Sequence, residues 1–229
     1  MDRVFKIWIY SLVIMGIFLM FTNSCKQNIV SGTVTDIDGN VYSTVTIGTQ
    51  EWMAENLKTI RFNDGTPIPL VTDNTAWSNL STPGYCWSDN DTTNKSTYGA
   101  LYNWYAVNTG KLCPKGWHIP TDAEWTILTD YLGGLKVAGG NLKSTTSWVG
   151  IDLVNASNSS GFSALPGDSR NLDGTFNNVG SHGYWWSASE SESDSHGAWM
   201  RRLNYCSSSV YCNSYPKMYG LSVRCVKNN

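Results

Sequence analysis

Hydrophobic and polar positions are spread unevenly along the chain, and the unevenness marks out its parts. Residues 7–21 form one apolar run, with Arg3 and Lys6 before it and polar Thr22, Asn23 and Ser24 after it. Beyond residue 30 the pattern changes to short alternating stretches. Thr33 to Thr35 and Val41 to Ile47 alternate as strands do, and Asp36-Ile37-Asp38-Gly39-Asn40 between them predicts a hairpin turn. Gln50 to Met53 predicts a further short strand, and Thr59 to Pro83 reads as polar, proline-containing loop. Ala100, Leu101, Trp104, Tyr105 and Val107 recur at helical spacing, which predicts a first helix over 97–108, stopped by Gly110. A second helix is announced by Thr121 at N-cap and Glu124 at N3, a capping box, with Trp125, Leu128 and Leu132 on one face and Gly133 at the end. Further strands are predicted at 162–165, 184–189, 198–203 and 221–226, with loops at 171–183 and 207–217.

The apolar run is shorter than the roughly 20 residues a spanning helix needs. Its basic flank and small following residues are the layout of a secretory signal peptide. Cys25 directly after Ser24 makes it resemble a bacterial lipoprotein signal, with cleavage leaving Cys25 as an acylated N-terminus. The expected organisation is a signal over 1–24, a tether over 25–30 and one folded domain over 31–229. Two acyl chains anchor a protein stably, so the expected location is the cell envelope, attached to the outer membrane and facing the periplasm or the surface.

Composition narrows the fold and the partners. Among 229 residues, 41% are hydrophobic and 15% charged, with 16 basic against 18 acidic residues and no basic run. That balance disfavours nucleic acid as a partner. The 11 Trp and 12 Tyr exclude a disordered coil, and 21 Gly disfavour a helical bundle. Export to a non-reducing space permits disulfides. After Cys25 the cysteines are 86, 113, 206, 212 and 225, an odd number, so at most two bridges form. The candidate bridges are Cys206–Cys212, a local loop, and Cys113–Cys225, with Cys86 left over; the alternative is that several remain buried thiols.

Candidate chemistry is sparse. Asp36-Ile37-Asp38-Gly39-Asn40 starts like a calcium loop but has Val45 where the bidentate Glu belongs, so it reads as a turn. Asp89-Asn90-Asp91 with Asn94 is an oxygen-rich loop that calcium could occupy, although no cofactor is required by any motif. His118, His182 and His196 lack metal spacing, and no hydrolase, zinc-protease or phosphate-loop motif is present. Trp104, Trp117 and Trp125 read as core. Trp77, Trp87, Trp148 and Tyr205 stand in polar loop contexts and are the candidate platform for a glycan or an envelope protein.

Several stretches together resemble the Fibrobacter succinogenes major paralogous domain family over roughly residues 31–227. They are Ile47-Gly48-Thr49-Gln50-Glu51-Trp52-Met53-Ala54-Glu55-Asn56-Leu57, Tyr98-Gly99-Ala100-Leu101-Tyr102-Asn103-Trp104-Tyr105-Ala106-Val107, Cys113-Pro114-Lys115-Gly116-Trp117-His118-Ile119-Pro120-Thr121-Asp122-Ala123-Glu124-Trp125, Gly161-Phe162-Ser163-Ala164-Leu165-Pro166-Gly167, Tyr184-Trp185-Trp186-Ser187-Ala188-Ser189-Glu190 and Val223-Arg224-Cys225-Val226. That family consists of exported, often lipid-anchored proteins without an established activity. The stretch 119–125 and the ending 220–226 are also similar to formylglycine-generating-enzyme-like domains. This second resemblance implies an α+β, C-type-lectin-like fold: two helices, a twisted antiparallel sheet and long loops. It also implies an alternative function, a copper-dependent thiol oxidase, with Cys206 and Cys212 in the place of that enzyme's copper-binding pair. The primary expectation is a non-enzymatic binding module; a purely structural envelope protein is the third.

Overall fold

The computed structural model describes residues 31–149, 156–177 and 179–228. The apolar run, Cys25 and the tether lie outside the described residues. Among those described, no helix is long and apolar enough to cross a membrane.

Strands β1 (Ser31–Thr35) and β2 (Val41–Ile47) form the expected hairpin, with Thr35 opposite Val41. Its turn is closed by one side chain. Asp36 Oδ1 accepts the backbone N–H groups of Asp38 and Asn40, both at 2.9 Å, and Oδ2 accepts Asn40 Nδ2 at 2.8 Å and the Tyr42 hydroxyl at 2.6 Å. The carboxylate is spent on the turn, which is why this stretch is a turn and not a cation loop. β3 (Gln50–Met53) continues the sheet. Two distant two-residue strands complete it: β6 (Trp117–His118) and β12 (Val226–Lys227), in the order β1-β2-β3-β12-β6, all antiparallel. Cys113 and Cys225 are bridged at 2.04 Å, fastening the approach to β6 to the approach to β12.

A second, three-stranded antiparallel sheet is built from β9 (His182–Glu190), β10 (Gly197–Asn204) and β11 (Val210–Pro216), in the order β11-β10-β9. Two short pairs stand beside the sheets: β4 (Tyr85–Trp87) with β5 (Ala100–Tyr102), and β7 (Ser169–Arg170) with β8 (Phe176–Asn177). Helices are few. They are α1 (Asn74–Ser78), α2 (Lys95–Tyr98), α3 (Trp104–Val107), α4 (Asp122–Tyr131) and α5 (Ala138–Leu142). The architecture is mixed helix and sheet, as expected in outline.

Helix α4 begins where its capping box places it. Thr121 Oγ1 accepts Glu124 N–H at 3.3 Å, and the Glu124 carboxylate accepts Thr121 N–H at 2.8 Å. His118 adds a second tie, with Nε2 2.7 Å from Glu124 Oε1 and Nδ1 2.7 Å from Asn228 Oδ1. The first expected helix, over 97–108, is overturned. Gly99 takes φ +74°, and a Cβ there would sit 2.7 Å from Leu57 O, so the segment turns out of helix at that point. Ala100 N–H then donates to Leu57 O and Tyr102 N–H to Leu221 O, so tertiary strand pairing outweighs helical periodicity. Asn103 restarts a single turn by capping Ala106 N–H. The expected loop at 207–217 is also corrected, since it contains β11. The expected strand at 162–165 reduces to one bridge, Ala164 with Lys143.

The core has two main parts. One joins Tyr42, Leu57, Tyr102, Trp104, Trp186 and Met200. The other joins Trp52, Trp125, Leu128, Phe162, Trp185 and Leu203. Neighbouring Trp185 and Trp186 on β9 point to opposite cores, as strand geometry requires.

Candidate ligand-binding surface

The loop aromatics do not form a platform. Trp77, Trp87 and Trp148 are buried, and Tyr205 is half-buried against the second core. Trp77 lies in α1 and Trp87 in β4, and these rings, with that of Trp148, turn inward and find polar partners there. The Arg170 guanidinium lies 4.5 Å from the Trp77 ring centre, Lys95 Nζ 5.4 Å from Trp87, and Trp148 Nε1 donates to Ala164 O at 3.2 Å. A polar sequence context therefore misreported exposure.

The cysteine expectations divide. Cys113–Cys225 is present, and Cys86 is a free buried thiol, held protonated because burial pushes it up to about 12. Cys206 and Cys212 are both free, against expectation. Cys212 lies within β11 opposite Arg201, two ladder positions beyond the last pair, Leu203–Val210. Cys206 lies in the turn on the other side of that pair. Strand rise of about 3.3 Å per residue carries the two apart, beyond disulfide reach. Cys206 Sγ instead meets Asn204 Oδ1 at 3.3 Å and Cys212 Sγ meets Asp122 Oδ1 at 3.6 Å. The thiol pair that a copper site needs is not brought together. Among the described residues, no three His, Cys, Asp or Glu side chains converge as metal ligands.

Half-exposed Tyr211, Tyr215 and Tyr219 gather around buried Tyr184 at the second sheet instead. Register puts Tyr184, Arg202 and Tyr211 in one row across β9, β10 and β11, with His182 and Asn204 in the next row and Ala198 and Tyr215 at the far end. His182 stacks on Tyr184 at 5.8 Å, Tyr184 meets Tyr215 at 6.2 Å, and Tyr215 meets Tyr219 at 4.9 Å. The Arg202 guanidinium lies 4.6 Å from the Tyr211 ring centre, and its buried Nε has no hydrogen-bond partner in the protein. Burial first, then the Arg202 charge, holds His182 below the usual imidazole range, so the positive charge of this shelf at neutral pH is that of Arg202. Asn213 is exposed beside these rings. The signal for β11 was the alternation of Tyr211, Asn213 and Tyr215 with Cys212 and Ser214, masked by the serines before it.

Two buried polar clusters lie elsewhere. In the first, Asn56 Nδ2 donates to Tyr98 O at 2.9 Å and Ser222 Oγ at 3.2 Å, while Oδ1 accepts Trp185 Nε1 and Arg224 Nε, both at 2.9 Å. Arg224, fully buried, also donates to the carbonyls of Phe162 and Ser163 and stacks 4.1 Å from the Phe162 ring centre. Desolvation lowers this guanidinium to about 9, with the Glu55 charge acting weakly against it. A cleft of about 220 Å³ opens above, lined by Glu55, Lys58, Ser96, Thr97 and Ser163 among others. In the second cluster, Asp168 Oδ1 accepts Ser169 N–H at 2.7 Å and Asn177 N–H at 2.8 Å. Burial above all, with the Asp89 charge adding to it, pushes this carboxyl up to about 7 against the pull of those donors.

No curated protein and no solved structure matches the chain. The family model of the Fibrobacter succinogenes major domain matches residues 45–227, a span that holds the second sheet, the first sheet from within β2 onward, the disulfide and both polar clusters. The chain belongs to the Fibrobacter succinogenes major domain family.

Proposed function

We propose that the protein is an exported, lipid-anchored envelope module that binds glycans on the tyrosine and arginine shelf of β9 to β11. The observation that carries this is the grouping of Arg202, Tyr211 and Tyr215 as half-exposed side chains on one sheet face, with Tyr219 from the bend after β11 against Tyr215. Rigid aromatic faces beside an amide and a guanidinium suit sugars, whose C–H faces stack and whose hydroxyls need donors and acceptors. The order of elements and the long loops support a C-type-lectin-like reading of the fold, and the apolar run before Cys25 supports the lipid anchor. A glycan array probed with the detergent-solubilised protein tests the shelf. Retention of a glycan class by the wild type, weakened about tenfold or more by Tyr211→Ala and by Arg202→Ala, is expected, since anchors of this kind are worth over 1 kcal/mol. Retention untouched by both substitutions, or capture of envelope proteins alone, overturns the reading. Detergent-phase partitioning of Cys25→Ser tests the anchor: the variant is expected in the aqueous phase.

A further inference from the structure

We infer that Asp168 and the turn Ser88-Asp89-Asn90 form a binding site for a hard divalent cation of the calcium type. The site is independent of the aromatic shelf. Its basis is a concentration of buried oxygens that the protein leaves incompletely satisfied. Asp168 is fully buried, and its Oδ2 accepts no hydrogen bond, although Oδ1 accepts two. Ser88 is fully buried, and its hydroxyl makes no well-formed hydrogen bond, facing only the Asp168 carboxyl. Asn90 has its Nδ2 fixed on Thr72 O at 2.8 Å, which leaves Oδ1 buried and without a donor. Native proteins leave few such atoms, because each has given up its bonds to water without a replacement. Here three of the four orphaned side-chain oxygens among the described residues fall on one turn and the carboxylate beside it.

The groups that face Asp168 are the Ser88 hydroxyl, a weak donor to the carboxylate, and the Asp89 carboxylate, which opposes its ionisation. Neither supplies a positive charge. Arg170, two residues along, does not supply it either. Its guanidinium donates to the carbonyls of Val71, Thr72 and Gly174 and to Asn74 Oδ1, and it is stacked on Trp77 and Phe176. A buried carboxylate is retained when a cation and further ligands complete it. The available atoms are two carboxylates, a hydroxyl and an amide carbonyl. Such all-oxygen, irregular sets favour calcium over magnesium, and over zinc or copper, which prefer nitrogen and sulfur. Asp89 and Asn90 both take left-handed φ, +53° and +54°, which turns the chain tightly enough for three successive side chains to share one locality. Asp89 is exposed and supplies the outer ligand.

Trp87 immediately precedes the turn, so terbium serves as a luminescent calcium substitute excited through tryptophan. The expected result for the detergent-solubilised protein is saturable terbium emission at one ion per chain, reversed by calcium chloride, with a higher Tm in calcium than in chelator. Asp168→Asn is expected to abolish both effects. Asp89→Asn, outside the packed core, is expected to weaken terbium about tenfold or more while melting like the wild type in chelator. Absence of saturable binding, or unchanged affinity in a folded Asp89→Asn protein, overturns the inference. If Asp168→Asn does not fold, Asp89→Asn alone decides.

Discussion

The Asn56 cluster and the Asp168 cluster are both buried and polar, yet they are finished differently. Asn56 spends both of its amide hydrogens and accepts two donors, and Arg224 beside it reaches two carbonyls as well. Asp168 leaves one oxygen unmet, and the turn facing it leaves two more. A fully connected network fixes one arrangement of the chain and has no capacity for a ligand. An incomplete one has capacity and lacks stability until something fills it. Asn56 joins three segments distant in sequence, around Tyr98, around Trp185 and from Ser222 to Arg224, and so acts as scaffolding. Polarity at depth is not by itself a sign of a site; the state of the hydrogen bonds separates the two roles.

The comparison breaks most readily at Asn56. Asn56→Ala strands Arg224 Nε and Trp185 Nε1 in the core, and a loss of about 3 kcal/mol in urea unfolding is expected. A loss under about 1 kcal/mol would mean that the network is replaceable and the contrast is empty. The capping box of α4 offers an intermediate case, paired but near the surface. Burial opposes ionisation of Glu124, yet the hydrogen bonds from Thr121 and His118 outweigh it and hold its carboxyl below the usual value of 4.5. A group depressed in this way adds stability above its unfolded value and loses it as pH falls through its folded value. Glu124→Ala is therefore expected to cost about 1 kcal/mol near pH 7, with the gap to wild type closing as the solution is acidified below pH 4.5. Unfolding curves at several pH values check the sign, and a gap that widens in acid refutes it. The smallest effect is expected at Asp168. In chelator at pH 8, Asp168→Asn keeps an oxygen for Ser169 and Asn177 N–H and removes an unpaired buried charge, so its melting point should equal or exceed that of wild type. A fall as large as that of Asn56→Ala would make the two clusters equivalent.

Legibility in the sequence followed the range of the forces involved. The β1–β2 hairpin, helix α4 and the bridge Cys113–Cys225 were readable. The first two are set by local chemistry: an Asp-Gly turn and a Thr-Glu cap. Cysteine count limits the bridges to two, and of the two expected pairs Cys113–Cys225 forms while Cys206 and Cys212 stay free. Residues 97–108 were misread because their periodicity is helical and their partners, Leu57 and Leu221, are far away in sequence. Trp77, Trp87 and Trp148 were misplaced for a related reason, since polar neighbours describe a loop and not the side of it that faces inward. Asp89 and Asn90 were visible as an oxygen-rich loop. Asp168, which gives that loop its depth, carried no local signal, because only the fold brings residue 168 to residue 88.

The position of β12 sets an order on events. This strand holds the place between β3 and β6, yet it is made of residues 226 and 227, far along the chain from both neighbours. The disulfide partner Cys225 adjoins it. Until those residues are available, β3 and β6 have no common neighbour, and Leu57 and Tyr102 lack the C-terminal backbone to which they bond. Native closure of this sheet therefore waits for residues far along the chain from β3 and β6. Until that segment arrives, both strands stand as open sheet edges, the feature by which one chain pairs with another.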